Sequence, residues 1–477
     1  MTAIESTWIT SAYHLTFASF LLISEYIVPI LRNDGILTYV VAEFAFISGV
    51  ALLGIFALIS GFVTNKISFL VLRALSGIAS SLIIPSALAL LLNLFPEPTE
   101  QAYAIGIFSN SRPIGTAIGL LVGAVIVQFT DWPWIFWSVA PVALPISGIC
   151  MLLILDVTKA EEGGVPQRES SWRSLDPFGV SVLTVAVIMF IFAVTSGPTF
   201  GWGSAIFLAP LLLSFTMVVG FLYYEARIPA ALAVVPPQTW FLPNFAVLFG
   251  IALFPDFWLT VKSVMFTTLW QSVYHWSTIA TALHMLPVVV AAFLASFTGA
   301  PSRKINTKWI LLFALGLTIV ATILLHFANS PDRYFPFVLP AFILGTTGCT
   351  MTFIHVNIAI FRTSPPYMRG TIGAIIHGAS QLGSAVGVAA FNSIKTSVEE
   401  KTGGPTLYTG RAAALWFVLA IVCVEAVSLL VFYRVDAKRK IDSIDGASAA
   451  SGKLHEVEEI TIREKTVKEA GLLVTDV

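Results

Sequence analysis

The stretches "AIGIFSNSRPIGTAIG", residues 104–119, and "TIGAIIHGASQLGSAVG", residues 371–387, decide how this chain is organised. Each lies in an apolar run, and each closes on G-[TS]-A-[IV]-G. Each also follows a proline-containing polar loop that begins after a phenylalanine, Phe95 in one case and Phe361 in the other. Gly115, Gly119 and Gly123 are spaced four apart, as are Gly383 and Gly387. On a helix that spacing gathers them on one face. A face of small residues lets two helix backbones approach closely in lipid. Two readings stay open for it: static packing, or a hinge or sliding face for a cavity that alternates between the two sides of a membrane.

The rest of the composition supports a lipid setting. The 477 residues are 57% hydrophobic and only 11% charged, with a mean hydropathy of +0.86, where a soluble domain carries about 25% charged residues. A net charge of -1 argues against a nucleic-acid partner. The three cysteines, Cys150, Cys349 and Cys423, fall inside apolar runs, with no spacing that suits a metal or a disulfide framework. The start "MTAIESTWIT" has no basic region and no cleavage site follows it, so the first run reads as a span rather than a signal peptide.

Runs of about twenty or more apolar residues, the length that crosses a bilayer as a helix, recur at about 8–30, 38–62, 67–95, 102–129, 132–155, 177–197, 203–223, 244–267, 276–299, 308–328, 335–361, 371–394 and 411–433. This gives about thirteen spans. Counting through them places four basic clusters on one side: Lys159, Arg168 and Arg173; Arg303, Lys304 and Lys308; Arg362 and Arg369; and Arg434 with Lys438, Arg439 and Lys440. The positive-inside rule makes that side cytosolic. The two glycine stretches sit in the fourth and twelfth runs, eight apart. Two six-span halves separated by a two-span insert give that offset. The second half then has six spans and the first has five, so the expectation is that the first span of the first half is missing ahead of Met1.

At this point the residues resemble a known family. "WITSAYHLTFASFLLIS", "LVLRALSGIASSLIIPSALALL" with Arg73 and Gly77, "GTAIGLLVGA" and "DWPWIFW" resemble the second, fourth and fifth spans, and the turn before the sixth, of the fourteen-span drug:proton antiporter branch of the major facilitator superfamily, fungal type. The resemblance covers nearly all of residues 6–435 except 24–44. It implies a proton-coupled antiporter that exports small organic molecules. Leu120 stands where the antiporter motif usually has proline, and Pro133 where the aromatic turn often has arginine. In "EYIVPILRNDGILTYVVAEF", residues 25–44, only Arg32 and Asp34 answer to the family's charged G-x-L-x-D-x-x-G-R loop. The expectation is that this segment comes from a misassembled or alternative gene model, and that the chain as written is poorly stable and transports little.

Ionisable residues inside spans are functional candidates, because a charge at the bilayer centre costs about 3 kcal/mol or more. Arg73, with Gly77, is read as a cavity arginine that couples proton and substrate movement; the alternative is snorkelling to the interface. Asp256, after Pro255, and Glu425 in the last span are candidate proton carriers, and Arg112 a candidate cavity residue. Lys262 lies six residues beyond Asp256, roughly 600° around the helix, so the two do not share a face. Phe254, Trp258 and Trp270 are candidate cavity aromatics that could stack on a flat or cationic substrate, against the alternative of lipid-facing or belt residues. The histidines show no ligand spacing, and no nucleotide loop or catalytic set is present.

The reading is an all-α polytopic membrane protein, a two-bundle transporter of the major-facilitator type. Its parts are an incomplete five-span bundle at 1–155, a loop, two-span insert and linker at 156–243, a six-span bundle at 244–433 and a disordered cytosolic tail at 434–477. Expected partners are a small-molecule substrate, protons and the bilayer, with no cofactor, no metal and a monomeric state. The expected place is the plasma membrane or the vacuolar membrane. Uptake of a nutrient or ion, and a non-transporting sensor or scaffold, are the alternatives.

Overall fold

A computed structural model describes residues 9, 12–17, 19–21, 24, 35–95, 98–160, 176–228, 237–298, 305–363, 369–402, 404 and 406–434. The described part of residues 9–24 is a leading helical stretch. Thirteen helices follow in chain order: α1 (Gly35–Ser60), α2 (Lys66–Leu94), α3 (Pro98–Phe129), α4 (Pro133–Ala160), α5 (Pro177–Phe200), α6 (Ala205–Glu225), α7 (Phe245–Ala252), α8 (Phe254–Thr268), α9 (Thr278–Ser296), α10 (Thr307–His326), α11 (Leu339–Thr363), α12 (Arg369–Thr402) and α13 (Thr409–Phe432). No strand occurs among the described residues. The chain divides after Phe432, and of the part beyond only Tyr433 and Arg434 are described, so the expected disorder of the tail lies outside them. Residues 25–34, the basic residues Arg168, Arg173, Arg303 and Lys304, and the side chain of Arg112 also lie outside the described residues.

Local chemistry sets the helix starts. Asn65 accepts hydrogen bonds from the amides of Ile67 and Ser68 at the start of α2, Asp176 from Gly179 at α5, Ser204 from Phe207 at α6, Ser277 from Ala280 at α9 and Asn306 from Lys308 at α10. Each removes an orphan amide that lipid could not satisfy. Gly201, at φ +91, ends α5 in a conformation that a side chain would disfavour.

Ten helical segments among the described residues are long and apolar enough to cross a membrane. The long helices α3 and α12, of 32 and 34 residues, and the leading stretch lie where three further spans were expected and are not among those ten. The run expected as one span at 244–267 is divided: α7 ends at Ala252 and α8 begins at Phe254. The cause is Pro255, which has no amide hydrogen to continue the ladder.

Packing follows the two-part plan. In the first half α1 lies against α2 and α4; in the second α10 lies against α11 and α13, α12 against α8 and α13, and α9 against α11. Between them α3 runs along α9, and α5 of the insert runs along α12. The outer faces are apolar, as lipid requires: Leu152 and Leu153 on α4, Leu212, Phe215 and Val219 on α6, and Val424, Val427 and Val431 on α13 are exposed. By contrast most of α8 is buried, from Phe254 to Trp258 and again at Val261, Lys262, Met265 and Phe266, with Leu259, Thr260, Ser263 and Val264 partly exposed along one face.

Candidate functional site

Two close helix contacts build the site. The first joins α2 to the leading stretch. Arg73, Gly77 and Ser81 recur at intervals of four on α2, so they share a face. A Cβ on Gly77 would collide with the hydroxyl of Thr16 and the carbonyl of Tyr13, so the glycine is what admits the second backbone. The Thr16 hydroxyl donates to the Ala74 carbonyl at 2.8 Å, and the hydroxyls of Ser24 and Ser81 lie 3.0 Å apart. Arg73 donates from Nε to the Ile9 carbonyl at 3.3 Å. Its guanidinium stands 4.8 Å from the centre of the Tyr13 ring and 5.7 Å from that of Phe136 on α4. Aromatic faces and a backbone oxygen thus offset a charge that lipid would not solvate.

The second contact lays α12 across the break between α7 and α8. Ser380, Gly383, Ser384 and Gly387 form one stripe on α12. The Ser380 hydroxyl donates to the Ala252 carbonyl at 2.9 Å, satisfying an acceptor at the end of α7. Gly383 leaves room for the Leu253 carbonyl and Gly387 for the Phe257 ring; a Cβ at either would overlap them. The Ser384 hydroxyl donates to that of Thr260 at 2.8 Å.

Where these contacts converge, titratable groups from both halves meet. His14, on the leading stretch, shares a side-chain hydrogen bond with Gln381 of α12 and lies within electrostatic reach of Arg73 on α2 and Asp256 on α8. Its residue keeps exposed surface although α2, α8 and α12 all bring polar groups towards it. Asp256 is buried in the first turn of α8, where the helix dipole favours a carboxylate. A histidine, an acid, an arginine and an amide can hold a proton or release it as their neighbours shift.

The sequence-based candidates fall into separate places. Arg73, Gly77 and Asp256 come together at this convergence. Glu425 lies in α13 on the inward stripe that includes Val418, Val422 and Leu429, and its Oε2 has no hydrogen-bond partner among the described residues. Phe254, Trp258 and Trp270 are fully buried inside the second half. Trp258 donates from its indole nitrogen to Thr322 at 3.0 Å, and Trp270 packs against Phe266, Trp276, His284, Tyr334 and Phe342. Arg112 is on α3, with its side chain outside the described residues. Gly115, Gly119 and Gly123 face open space: among the described residues no atom lies within 4 Å of an added Cβ. His14 and Gln381 were not singled out from the sequence. An intramembrane histidine carries the same functional flag as any ionisable residue there, and that flag was available for His14. No group of His, Cys, Asp or Glu suited to a metal occurs among the described residues.

A helical membrane protein with two spanning halves meeting around buried ionisable groups has the architecture of a secondary transporter. Comparison with known proteins gives the family: the model of the Major Facilitator Superfamily matches residues 1–235 and 225–388, and the chain belongs to that family. It is a secondary transporter and not an enzyme. The chain is similar to the major facilitator superfamily multidrug transporter mfsC of Aspergillus fumigatus, 27% identical, with 90% of this chain and 80% of that protein covered. It is also similar to the low affinity ammonium transporter of Saccharomyces cerevisiae, 24% identical over 84% of this chain and 76% of that protein. Among solved structures it resembles the POT family transporter PepTSo, with a TM-score of 0.50 and 14% identity over 93% of this chain and 99% of that one; that likeness concerns the fold alone.

Proposed function

We propose that the protein exports small organic molecules in exchange for protons, by alternating access between its two halves. The observation that carries this reading is the meeting of His14, Arg73, Asp256 and Gln381, drawn from both halves. A group that changes charge there changes the attraction between the halves, so a proton can bias which side opens. Similarity to a multidrug transporter supports a small organic substrate, and similarity to an efflux pump of Aspergillus terreus supports the outward direction. On this reading the protein works as a monomer in the plasma membrane or the vacuolar membrane, its basic loops and C-terminal tail lie on the cytosolic side, and no cofactor or metal takes part.

The test is accumulation of a fluorescent dye in cells that express the chain. Export lowers accumulation, and collapse of the proton gradient abolishes the difference. Asp256→Asn and His14→Gln each remove the proton dependence. Arg73→Ala loses proton-dependent transport, and Arg73→Lys restores little, since lysine cannot keep the planar contact with Tyr13. A second reading, uptake of a nutrient or ion, is favoured by the similarity to an ammonium transporter. It is distinguished by raised accumulation of the solute in place of lowered dye.

A further inference from the structure

Two ionisable groups in the second half each hold a buried polar atom with no hydrogen-bond partner among the described residues, and their charged forms are of opposite sign. Lys262 is 2% exposed, and its Nζ meets no acceptor among the described residues. What faces it are the rings of Trp258, whose centre is 5.5 Å away, and Phe342, at 5.1 Å. Glu425 lies across the same bundle on α13, with Oε2 buried and unbonded. Cys349 of α11 is within electrostatic reach of Lys262, Glu425 and Asp256.

The energetics make the arrangement unusual. A buried ion left alone costs several kcal/mol, and an aromatic face returns only about 0.5–2 kcal/mol. A lysine and a glutamate so placed have an obvious way to remove the cost, which is to meet. The helices that carry them, α8 and α13, both border α12, the helix whose glycine stripe lies on the α7–α8 break. A shift of α12 along that break therefore changes the separation of α8 and α13. Asp256 is a poorer partner for Lys262, because it lies about 120° away around the same helix and is within electrostatic reach of His14.

We propose that Lys262 and Glu425 are the two halves of a buried ion pair that forms in the other access state of the transport cycle. Lys262 is then a positioning residue: it touches no substrate, and it holds α8 to α13 once the cavity has changed face. This inference rests on the alternating-access reading above.

The experiment has two arms. In dye efflux from cells, Lys262→Met and Glu425→Gln each lower transport about tenfold or more at unchanged amounts of protein in the membrane. The charge swap Lys262→Glu with Glu425→Lys recovers most of it. Wild-type efflux with Lys262→Met, or rescue by a swap of Lys262 with Asp256 in place of Glu425, overturns the pairing. The second arm does not depend on those charges. In a chain whose Cys150, Cys349 and Cys423 are replaced by alanine, Lys262→Cys with Glu425→Cys is treated with a short bifunctional thiol reagent. Cross-linking that rises several-fold when the dye is added supports the approach of α8 and α13. No cross-link with or without dye overturns it. If the unmodified chain exports no dye, the proposed function fails, while the cross-linking arm still reads the approach.

Discussion

The two glycine stretches are alike in sequence and opposite in surroundings. On α12, Gly383 and Gly387 are filled by the Leu253 carbonyl and the Phe257 ring of the helix that opens the second half. On α3, Gly115, Gly119 and Gly123 meet no described atom within 4 Å. The same motif is thus a completed joint on α12 and, among the described residues, a face without a close neighbour on α3. The comparison teaches that glycine spacing records the capacity for close approach and not the approach itself. What fills the face comes from another helix. In the second half that helix is α7–α8, the counterpart of the one that the sequence repeat places first in each half.

The comparison can be broken or sharpened by substitution. The largest effect on stability falls at the far end of the filled helix. Arg411 on α13 is buried and paired at 3.6 Å with Glu399 of α12, which also has Lys395 at 3.9 Å. Arg411→Ala leaves the Glu399 carboxylate buried without that partner and destabilises the second half by about 3–5 kcal/mol. Thermal unfolding in detergent measures it, and an unchanged midpoint would show that α12 is not held there. Gly387→Ala forces the Phe257 ring aside and costs about 1–3 kcal/mol. Gly383→Ala is worse placed than Gly387→Ala, since the group in its way is backbone rather than a ring that can turn, so its midpoint falls further. Equal midpoints for the two would break the account of the α7–α8 joint.

Smaller effects follow. Ser380→Ala removes the donor to the Ala252 carbonyl and costs about 1 kcal/mol, again as a lowered midpoint, while Ser380→Thr keeps the hydroxyl and most of the stability. The smallest effect on assembly belongs to α3. Gly119→Leu meets nothing, so the protein reaches the membrane at wild-type level with an unchanged midpoint. Under a sliding role for this face the same variant loses dye export, because a neighbour must approach it during the cycle. Undiminished export by Gly119→Leu would reduce the α3 stripe to a passive feature.

Much of this was legible in the residues because lipid allows few solutions. A backbone with no water must satisfy itself, so long apolar runs are helices, and α1, α5, α6, α9 and α10 fall close to where hydropathy places them. The repeat gave the expectation of two halves with an insert between them. Arg73 with Gly77, and Asp256, were legible because a lone charge in an apolar run is expensive and must have a partner. Hydropathy did not locate the break at Leu253, since α7 and α8 together read as one run, although Pro255 was its visible cause. His14 and Gln381 escaped because neither belongs to a spaced motif. They matter only because α12 and the leading stretch come together, far apart as they are in sequence.

The sequence by itself therefore determined that the protein is a bundle of membrane helices in two related halves, and which of its residues could not rest in lipid unaided. Those are local properties, fixed by hydrocarbon thickness and by the cost of an unsatisfied polar group. Only the tertiary structure decided which glycine face is occupied by described atoms, that Trp258 and Trp270 lie inside the bundle and not at its surface, that His14 bonds Gln381 within electrostatic reach of Arg73 and Asp256, and that Lys262 Nζ and Glu425 Oε2 are buried with no partner among the described residues. In lipid one apolar surface attracts another no more than it attracts the solvent, so helix pairing rests on shape and on a few polar contacts between distant segments. Hydropathy carries no information about those.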